Sequence, residues 1–375
     1  PYMLEDGDIL LARSGATVGK SFQYLANWGR AAYAGYLIRY RPDREIIVPS
    51  FANYYFQTAS YWACINSALI QATIENFSAE KYKDLKMPLP DKEEQQKIAA
   101  FLDWKTGQID ALIAKKKELL ERLKEKLLAV ITQAVTRGLN PEAPLKDSGI
   151  PWLGQVPEGW EAKRLKFIAS IRYGLGEPPE YVDEGLNLVR ATDVSKGTIA
   201  LDGFKKIRPE DVPWERNPEL KAGEIIVVRS GAYTGDSAIV PKELEGSIAG
   251  FDMVVTATDI DPELLAWALL SRYLLEAQIY QTRMRAAQPH LNAEELGNFV
   301  VVVPPINLQR EVVDHIKTQN ERINRLAEKT TTAIERLTEY RTALITAATT
   351  GKIDVRGVKI PKRQESEIVP ASKEA

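Results

Sequence analysis

The sequence has few of the residues that carry covalent or metal chemistry. Its 375 residues include one cysteine and two histidines. The single Cys64 cannot form an internal disulfide, so a reducing cytoplasm is the default expectation. These counts exclude a Cys/His zinc cluster and argue against a Ser-His-Asp catalytic site. A Walker loop and a dinucleotide-binding fingerprint are also absent. The sequence therefore offers no catalytic or metal-binding candidates.

Long apolar runs and strong net charge are missing as well. No apolar stretch reaches the roughly 20 residues that a membrane-spanning helix needs. The formal net charge is −2, so no overall basic field indicates nucleic-acid binding. Residues 146–305 contain 17 Lys and Arg against 24 Asp and Glu, a net charge of −7. Because counterion release needs many cations, we expect a partner to supply most contacts to any phosphate backbone.

The dominant pattern is a long amphipathic helix that occurs twice. In the first copy, the apolar residues at a seven-residue period are Leu102, Ile109, Leu123 and Val130. The second copy lies 214 residues later and has Ile316, Ile323, Leu337 and Leu344 at the corresponding positions. Neighbouring apolar residues widen the first stripe: Leu112, Ile113, Leu119, Leu120 and Leu127. Such a repeat keeps an apolar seam facing a partner helix, so we predict that the two helices pair, antiparallel.

Signals for the ends of both helices are present. Asp91 with Glu94 has capping-box spacing, and Gly138 and Gly351 are expected to end the two copies. The middle position of each stripe is polar, Lys116 in one copy and Thr330 in the other. These two residues either help to fix the register of the pair or are simply solvated.

A globular segment precedes each long helix. A predicted strand over 9–12 leads into the tetrapeptide Arg-Ser-Gly-Ala of 13–16, and a strand over 225–229 leads into its repeat at 229–232. Other predicted strands cover 33–40, 87–90, 186–190, 253–257 and 300–305, the second and last of these with their prolines, and predicted helices cover 50–62 and 263–280. Interleaved short strands and helices predict an α+β fold.

The repeat divides the chain into six segments with an internal pseudo-twofold relation. They are a first globular domain at 1–90, a long helix at 91–138, a linker at 139–150, a second globular domain at 151–305, a second long helix at 306–351, and a polar tail at 352–375 that is predicted to be disordered. Position 220 matches position 4, so we expect roughly 65–70 residues to be missing from the first domain.

These features together resemble one known family. The residues that carry the resemblance are Ile150-Pro-Trp-Leu-Gly154 and Pro157-Glu-Gly-Trp160, the two segments Gly-Asp/Glu-Ile…Arg-Ser-Gly, Pro90 with Glu94-Gln95-Gln96, Pro304-Pro305-Ile306 with Gln309, and the closing Leu344-Ile-Thr-Ala-Ala…Gly351. In this order and duplication they resemble the specificity (S) subunit of type I restriction–modification systems. The resemblance covers nearly the whole chain.

The resemblance implies a non-catalytic function in DNA recognition. Two target-recognition domains, the first incomplete here, would each recognise half of a bipartite site on double-stranded DNA, separated by the paired coiled-coil helices. The helices would dock two modification (M) subunits with methyltransferase chemistry, and restriction (R) subunits would join to cleave. S-adenosylmethionine, ATP and Mg would bind only to those partners, and the complex would be cytoplasmic.

The candidate DNA-binding residues lie at matching places in the two domains. They are Arg13, Ser14, Thr17, Lys20, Gln71, Thr73 and Asn76 in the first, and Arg190, Arg229, Ser230, Tyr233, Arg283, Arg285, Gln288 and His290 in the second. Arginine can bind the O6/N7 edge of guanine, and amide side chains can bind adenine. The alternative is that Arg-Ser-Gly-Ala forms a tight turn whose arginine pairs with a carboxylate, and that 283–290 is a solvated loop.

Residues that differ between the copies are the better candidates for base choice. Half-sites of different sequence need different side chains. Thr17 of the first copy corresponds to Tyr233 of the second, and Lys20 corresponds to Asp236. Two other functions stay open on the sequence alone. The chain could be a coiled-coil scaffold without a DNA function, or a self-contained DNA methyltransferase or nuclease.

Overall fold

The computed structural model describes residues 2–70, 76–177, 179–283 and 290–361. Two compact units are formed, one by residues 1–120 with 329–375 and the other by residues 121–328. Among the described residues, no helix combines the length and apolarity needed to cross a membrane.

The helices and strands are short apart from two. The strands are β1 Ile9–Ala12, β2 Ser21–Gln23, β3 Leu37–Tyr40, β4 Leu145–Asp147, β5 Gln155–Pro157, β6 Glu161–Arg164, β7 Ala169–Tyr173, β8 Leu186–Val189, β9 Val194–Ser195, β10 Thr198–Ile199, β11 Lys205–Ile207, β12 Ile225–Val227, β13 Ser237–Ile239, β14 Ile248–Ala249, β15 Met253–Ala257 and β16 Val300–Val303. The helices are α1 Pro49–Tyr55, α2 Ala59–Ile70, α3 Ala79–Lys83, α4 Lys92–Arg137, α5 Pro262–Leu269, α6 Arg272–Leu274, α7 Tyr280–Arg283, α8 Ala293–Asn298 and α9 Ile306–Thr349, with a π-helical turn at Leu275–Ile279.

The first unit is built on a three-stranded antiparallel sheet in the order β2-β1-β3. Ile9 and Leu11 of the central strand are fully buried and pack against aromatic residues of α1 and α2, including Tyr55 and Tyr61. The alternation of buried side chains on β1 therefore fixes which face of the sheet the helices cover. The strand predicted over 9–12 is confirmed, whereas the one predicted over 33–40 is shorter and begins at Leu37.

The second unit contains more and smaller sheets. Its main sheet has the antiparallel order β13-β12-β15-β7, and a second sheet has the order β11-β8-β14, in which β14 is parallel to β8. The remaining pairs are β16 with β6, β10 with β9, and β4 with β5. Strand 253–257 is confirmed at its predicted bounds, while the strands predicted over 186–190 and 225–229 end at Val189 and Val227.

Met87–Pro90 is not a strand, so that prediction is wrong. The matching segment of the second unit, β16, is a strand because it pairs with β6 along its whole length. In the described part of the first unit no strand pairs with 87–90, and its two prolines cannot donate to a ladder.

Two helices predicted as continuous are interrupted. Instead of one helix over 50–62 there are α1 and α2, because the Thr58 hydroxyl accepts the Tyr61 N–H and starts a new helix. The helix predicted over 263–280 breaks after α5, where the Arg272 N–H at the start of α6 donates to the Thr132 hydroxyl of α4 at 2.9 Å. The first unit has the same contact, from the Ala59 N–H of α2 to Thr346 of α9 at 2.9 Å.

The two long helices are confirmed at close to their predicted bounds. α4 has 46 residues and α9 has 44, so each is roughly 70 Å long at 1.5 Å per residue. The Asp91 carboxylate accepts the Glu94 N–H at 2.8 Å, as a capping residue does. Gly138 and Gly351 follow the two C-termini with φ of 72° and 73°, the left-handed conformation that glycine adopts most easily.

The helices pair antiparallel in both units. In the first unit the N-terminal part of α4 and the C-terminal part of α9 share one apolar core, which contains Leu102, Ile109 and Leu344. Leu337 packs against this core, and Arg341 pairs with Asp110 at 2.9 Å. In the second unit the opposite ends meet, and Ile316 shares a core with Ile131 of α4.

The residues of the predicted seam differ in burial. Leu123 and Ile323 are buried, and Val130 is half-buried beside the buried Ile131. Leu112 and Leu119, by contrast, are exposed, because they lie off the narrow stripe that a helix pair covers. Of the two polar middle positions, Thr330 is buried and Lys116 is half-buried, so neither is fully solvated.

A buried glutamine joins each long helix to the unit in which it begins. The Gln95 amide accepts the Val48 N–H at 2.9 Å and donates to the carbonyls of Ile46 and Pro90. Gln309 accepts the Asp261 N–H at 2.7 Å and donates to the Pro304 carbonyl. Both fix the start of the helix against the preceding loop.

The tail also touches the first unit. Val355 is buried in the core that contains Leu344, and the structure describes the chain as far as residue 361. The prediction of disorder covered residues 352–375, and the buried Val355 does not fit it. Residues 362–375 lie outside the described residues.

Candidate nucleic-acid interface

In the first unit, Arg-Ser-Gly-Ala forms a compact loop at the end of β1. The Ala12 N–H donates to the Lys20 carbonyl and the Gly19 N–H returns to the Ala12 carbonyl, both at 2.9 Å. Gly15 and Gly19 have φ of 71° and 83°. A side chain at Gly19 would come within 3.0 Å of Ile65, so the turn needs glycine there. The loop is thus held by its backbone.

The loop after β12 in the second unit repeats this geometry. The Val228 N–H donates to the Asp236 carbonyl and the Gly235 N–H returns to the Val228 carbonyl, both at 2.8 Å. Gly231 and Gly235 have φ of 85° and 91°. The tight-turn alternative for the tetrapeptide is therefore correct for the backbone in both units, and it leaves the side chains available for another function.

Each loop is bridged by the segment that precedes the last short helix of its domain. In the first unit Ser14 pairs with Asn76, and the Phe77 N–H donates to the Arg13 carbonyl at 2.7 Å. In the second unit Ser230 pairs with His290, and the Leu291 N–H donates to the Arg229 carbonyl at 2.7 Å. The fold therefore brings together candidates that lie about 60 residues apart in the sequence.

The candidate side chains around each loop are largely at the surface. Thr17 and Lys20 are exposed in the first unit, and Tyr233 and His290 in the second. Asn76 is half-buried, and its amide oxygen has no partner among the described residues. Five other candidates lie outside the described residues wholly or in their side chains: Gln71, Thr73, Arg283, Arg285 and Gln288.

Two other arginines are held by carboxylates. Arg190 pairs with Asp193 at 2.9 Å and helps to cap a short turn. Arg172 holds Glu224 through two bonds of 2.6 and 2.7 Å. These bonds occupy both arginines, which supports a structural function for them.

A buried carboxylate anchors the turn before each central strand. Asp8 accepts the Glu5 N–H and two bonds from Arg41, and Glu224 accepts the Lys221 N–H and the bonds from Arg172. Burial alone would raise the pKa of each carboxyl group, but the arginine and backbone donors lower both below their usual values. These two carboxylates therefore stabilise the fold.

Asp252 behaves differently, and the sequence patterns did not single it out. It is 2% exposed, its Oδ1 accepts the Arg229 backbone N–H at 3.2 Å, and its Oδ2 has no partner among the described residues. Burial raises the pKa of Asp252 to about 6. The available signal was a lone acid between glycine and an apolar run, in Ala-Gly-Phe-Asp-Met-Val-Val of 249–255.

The side chains around the loops can form hydrogen bonds to nucleic acid. They are hydroxyl, amide, imidazole, ammonium, guanidinium and carboxylate groups, which suit hydrogen bonds to bases and, for the donors among them, to phosphates. No cluster of three or more potential metal ligands occurs in the described ranges.

The architecture defines a class: a chain with two similar α+β units whose two long helices pair antiparallel. Comparison with known proteins identifies that class more closely. Residues 2–122 match the family model described as Type I restriction modification DNA specificity domain. The chain is therefore similar to the specificity subunits of type I restriction–modification systems, which are the non-catalytic component of those systems.

The similarity extends to individual relatives. The chain is 25% identical over 317 residues to the type I restriction enzyme EcoBI specificity subunit of Escherichia coli, covering 80% of this chain and 65% of that protein. It is 22% identical over 367 residues to the MjaVIII specificity subunit of Methanocaldococcus jannaschii, covering 95% and 81% of the two chains. The chain thus spans just under two thirds of the length of the first of these relatives.

A solved structure supports the fold. A chain from a structure described as the basis of complex assembly and conformational transition of the type I R-M system superposes with a TM-score of 0.73. The two chains are 14% identical, and the match covers 94% of this chain and 83% of the other. At that identity the likeness establishes the fold alone.

Proposed function

We propose that this protein recognises a bipartite site on double-stranded DNA and directs modification and restriction subunits to it. Each unit would recognise one half-site through the loop after its central strand. The observation that carries the proposal is the pair of loops with the same backbone geometry and different side chains. A shared frame with Thr17 and Lys20 in one unit, and Tyr233 and Asp236 in the other, suits half-sites of different sequence.

The long helices would set the length of the gap between the half-sites. Their pairing gives a stiff element of known length, and roughly 70 Å corresponds to at most about 20 base pairs at 3.4 Å per pair. The same helices would offer docking surfaces to two modification subunits, and restriction subunits would join that complex.

Catalysis would belong to the partners. S-adenosylmethionine, ATP and Mg would bind to the modification and restriction subunits, and the complex would act in the cytoplasm. The net charge of −7 over residues 146–305 fits a protein that recognises bases while its partners contact most phosphates.

A gel-shift experiment tests this proposal against its alternatives. The full chain is mixed with purified modification subunit and with duplexes of random or genomic sequence. Sequence-selective retention only in the presence of the modification subunit supports the proposal. Methyl transfer or cutting by the chain alone would mean a self-contained enzyme, and no retention in any combination would mean a scaffold without a DNA function.

A further inference from the structure

The Arg229 side chain is held by aromatic rings. Its guanidinium carbon lies 4.9 Å from the centre of the Tyr173 ring and 4.8 Å from the centre of the Phe251 ring. Tyr173 is itself fixed, because its hydroxyl accepts the Ala293 N–H at 2.8 Å. Contact with two rings limits the conformations open to the guanidinium, so less freedom would be lost when it binds a ligand.

No carboxylate within the described residues forms an ion pair with Arg229. This separates it from Arg172, Arg190 and Arg208 of the same unit, each of which has one. The Arg229 Nε is buried and has no hydrogen-bond partner among the residues that the structure describes, while the residue as a whole is half-buried. A buried donor without a partner is costly in a fold, which points to a ligand that is absent from the free protein.

Asp252 contacts the backbone of this arginine. Its Oδ1 holds the Arg229 backbone N–H, and its Oδ2 is buried without a partner in the described structure. The other charged groups that influence it are the Arg229 guanidinium and Asp193, which is already paired with Arg190. A nearly buried acid with one unsatisfied oxygen is a second sign of a site built for binding.

We infer that Arg229 is a specificity-determining residue that binds the O6/N7 edge of a guanine in one half-site, with Asp252 as its positioning residue. This inference rests on the proposed function. A planar guanidinium of fixed orientation matches two acceptors in one plane, and this pairing is the commonest specific contact between arginine and a base.

Guanine suits the site better than phosphate does. The Asp252 carboxylate offsets part of the guanidinium charge, which weakens attraction to a phosphate and leaves directional hydrogen bonds to a neutral base edge. The net charge of −7 over residues 146–305 also weakens the attraction of this domain to phosphate.

The site is specific to the second unit. Leu11 pairs with Ile38 as Val227 pairs with Met253. The residue before this pair on the partner strand is Leu37 in the first unit and Asp252 in the second. The exposed Tyr36 then corresponds to Phe251. Arg13 therefore has the same backbone as Arg229 without the buried acid, and the two arginines need not bind the same base.

The test removes one acceptor atom from the DNA. The bipartite site is first mapped from methylation by the complex of this chain with its modification subunit. Each guanine of the half-site assigned to the second unit is then replaced by 7-deazaguanine, which keeps base pairing and phosphates but lacks N7. Competition between the two duplexes in one tube measures the preference.

The wild-type complex should prefer the natural guanine at one position by about 5- to 150-fold, the range for one bidentate contact. Arg229→Lys, which keeps the charge but loses the planar fork, should abolish this preference. Phe251→Leu removes one ring at an exposed position and should reduce the preference for natural guanine. Arg208→Lys, an exposed ion-paired arginine in the same unit, is the matched control and should leave it unchanged.

Asp252 is tested by pH. Because protonation removes its charge, the wild-type preference should fall as the pH is lowered through about 6. Asp252→Asn should show a low preference that does not change over that range, with an unaltered circular dichroism spectrum. A merely structural function of Asp252 would leave the preference of the folded protein independent of pH.

Two results overturn the inference alone: a mapped half-site without a 7-deazaguanine-sensitive guanine, and an Arg229→Lys complex that keeps the wild-type preference. Equal weakening of all duplexes by Arg229→Lys would mean a phosphate contact and would also overturn it. If the wild-type complex shows no sequence preference at all, the proposed function fails together with the inference.

Discussion

At the scale of single residues, buried carboxylates have opposite effects on stability. Asp8 and Glu224 are held by arginine and backbone donors that lower their pKa values, so they stabilise the fold at neutral pH and lose that effect as the pH falls. Asp252 has a raised pKa, so its ionised form is the destabilising one. The fold therefore retains one buried charge at a cost in stability, which is common at binding sites.

This difference gives a prediction for Asp252→Asn. The folded-state pKa of about 6 lies above the ordinary value of 3.8, so wild-type stability falls as the pH rises from 4 to 6. Asparagine carries no charge and can still accept the Arg229 N–H, so the variant should be more stable than wild type at pH 7, by about 1–3 kcal/mol. The two proteins should converge near pH 4.

Urea unfolding at pH 4, 5, 6 and 7 measures this effect. Asp202→Asn is the control, since Asp202 is exposed and its replacement changes the net charge equally. A variant that is less stable than wild type at pH 7 would show that the Asp252 carboxylate stabilises the fold.

At the scale of elements, the patterns that predicted correctly are those with local causes. Strands such as Met253–Ala257 follow from apolar runs, and α4 and α9 follow from a seven-residue period with capping signals at both ends. The errors arise from contacts that are distant in sequence. The break between α5 and α6 involves Thr132, which lies 140 residues before Arg272.

The same reasoning applies to the candidate site. The tight Arg-Ser-Gly-Ala turn could be predicted because glycine spacing reports backbone conformation directly. The placement of Arg229 over Tyr173 and Phe251 could not, because it depends on the register of three strands. Asp252 was likewise hidden, because sequence alone does not tell whether an acid at the start of a strand is buried.

The threonine caps provide a prediction at this scale. Thr132→Val and Thr346→Val keep the side-chain shape but remove the hydroxyl that accepts the N–H at the start of α6 or α2. Each change should lower the free energy of unfolding by about 1 kcal/mol, the usual effect of losing such a cap.

Thr318→Val on α9 is the matched control, because the exposed Thr318 hydroxyl bonds only to the Asp314 carbonyl of its own helix. Thermal unfolding of the three variants gives the comparison. Equal stability of the cap variants and the control would show that the hydroxyls do not hold the helix breaks.

At the scale of the whole molecule, the chain repeats one structural pattern in two units. The turn after each central strand, the buried glutamine at each helix start and the threonine cap all occur twice, at shifts of 214 to 216 residues. Duplication of the frame with divergence of the exposed side chains is what a protein for an asymmetric bipartite site requires.

If each unit recognises its own half-site, exchange of one domain should change only that half of the site. Residues 146–305 are replaced by the same span of another specificity subunit, and the complex with modification subunit is expressed in cells. Methylation-sensitive sequencing of their DNA then gives the recognised site. We expect that one half of the site changes while the other half and the gap length stay the same. A change in both halves at once would contradict it.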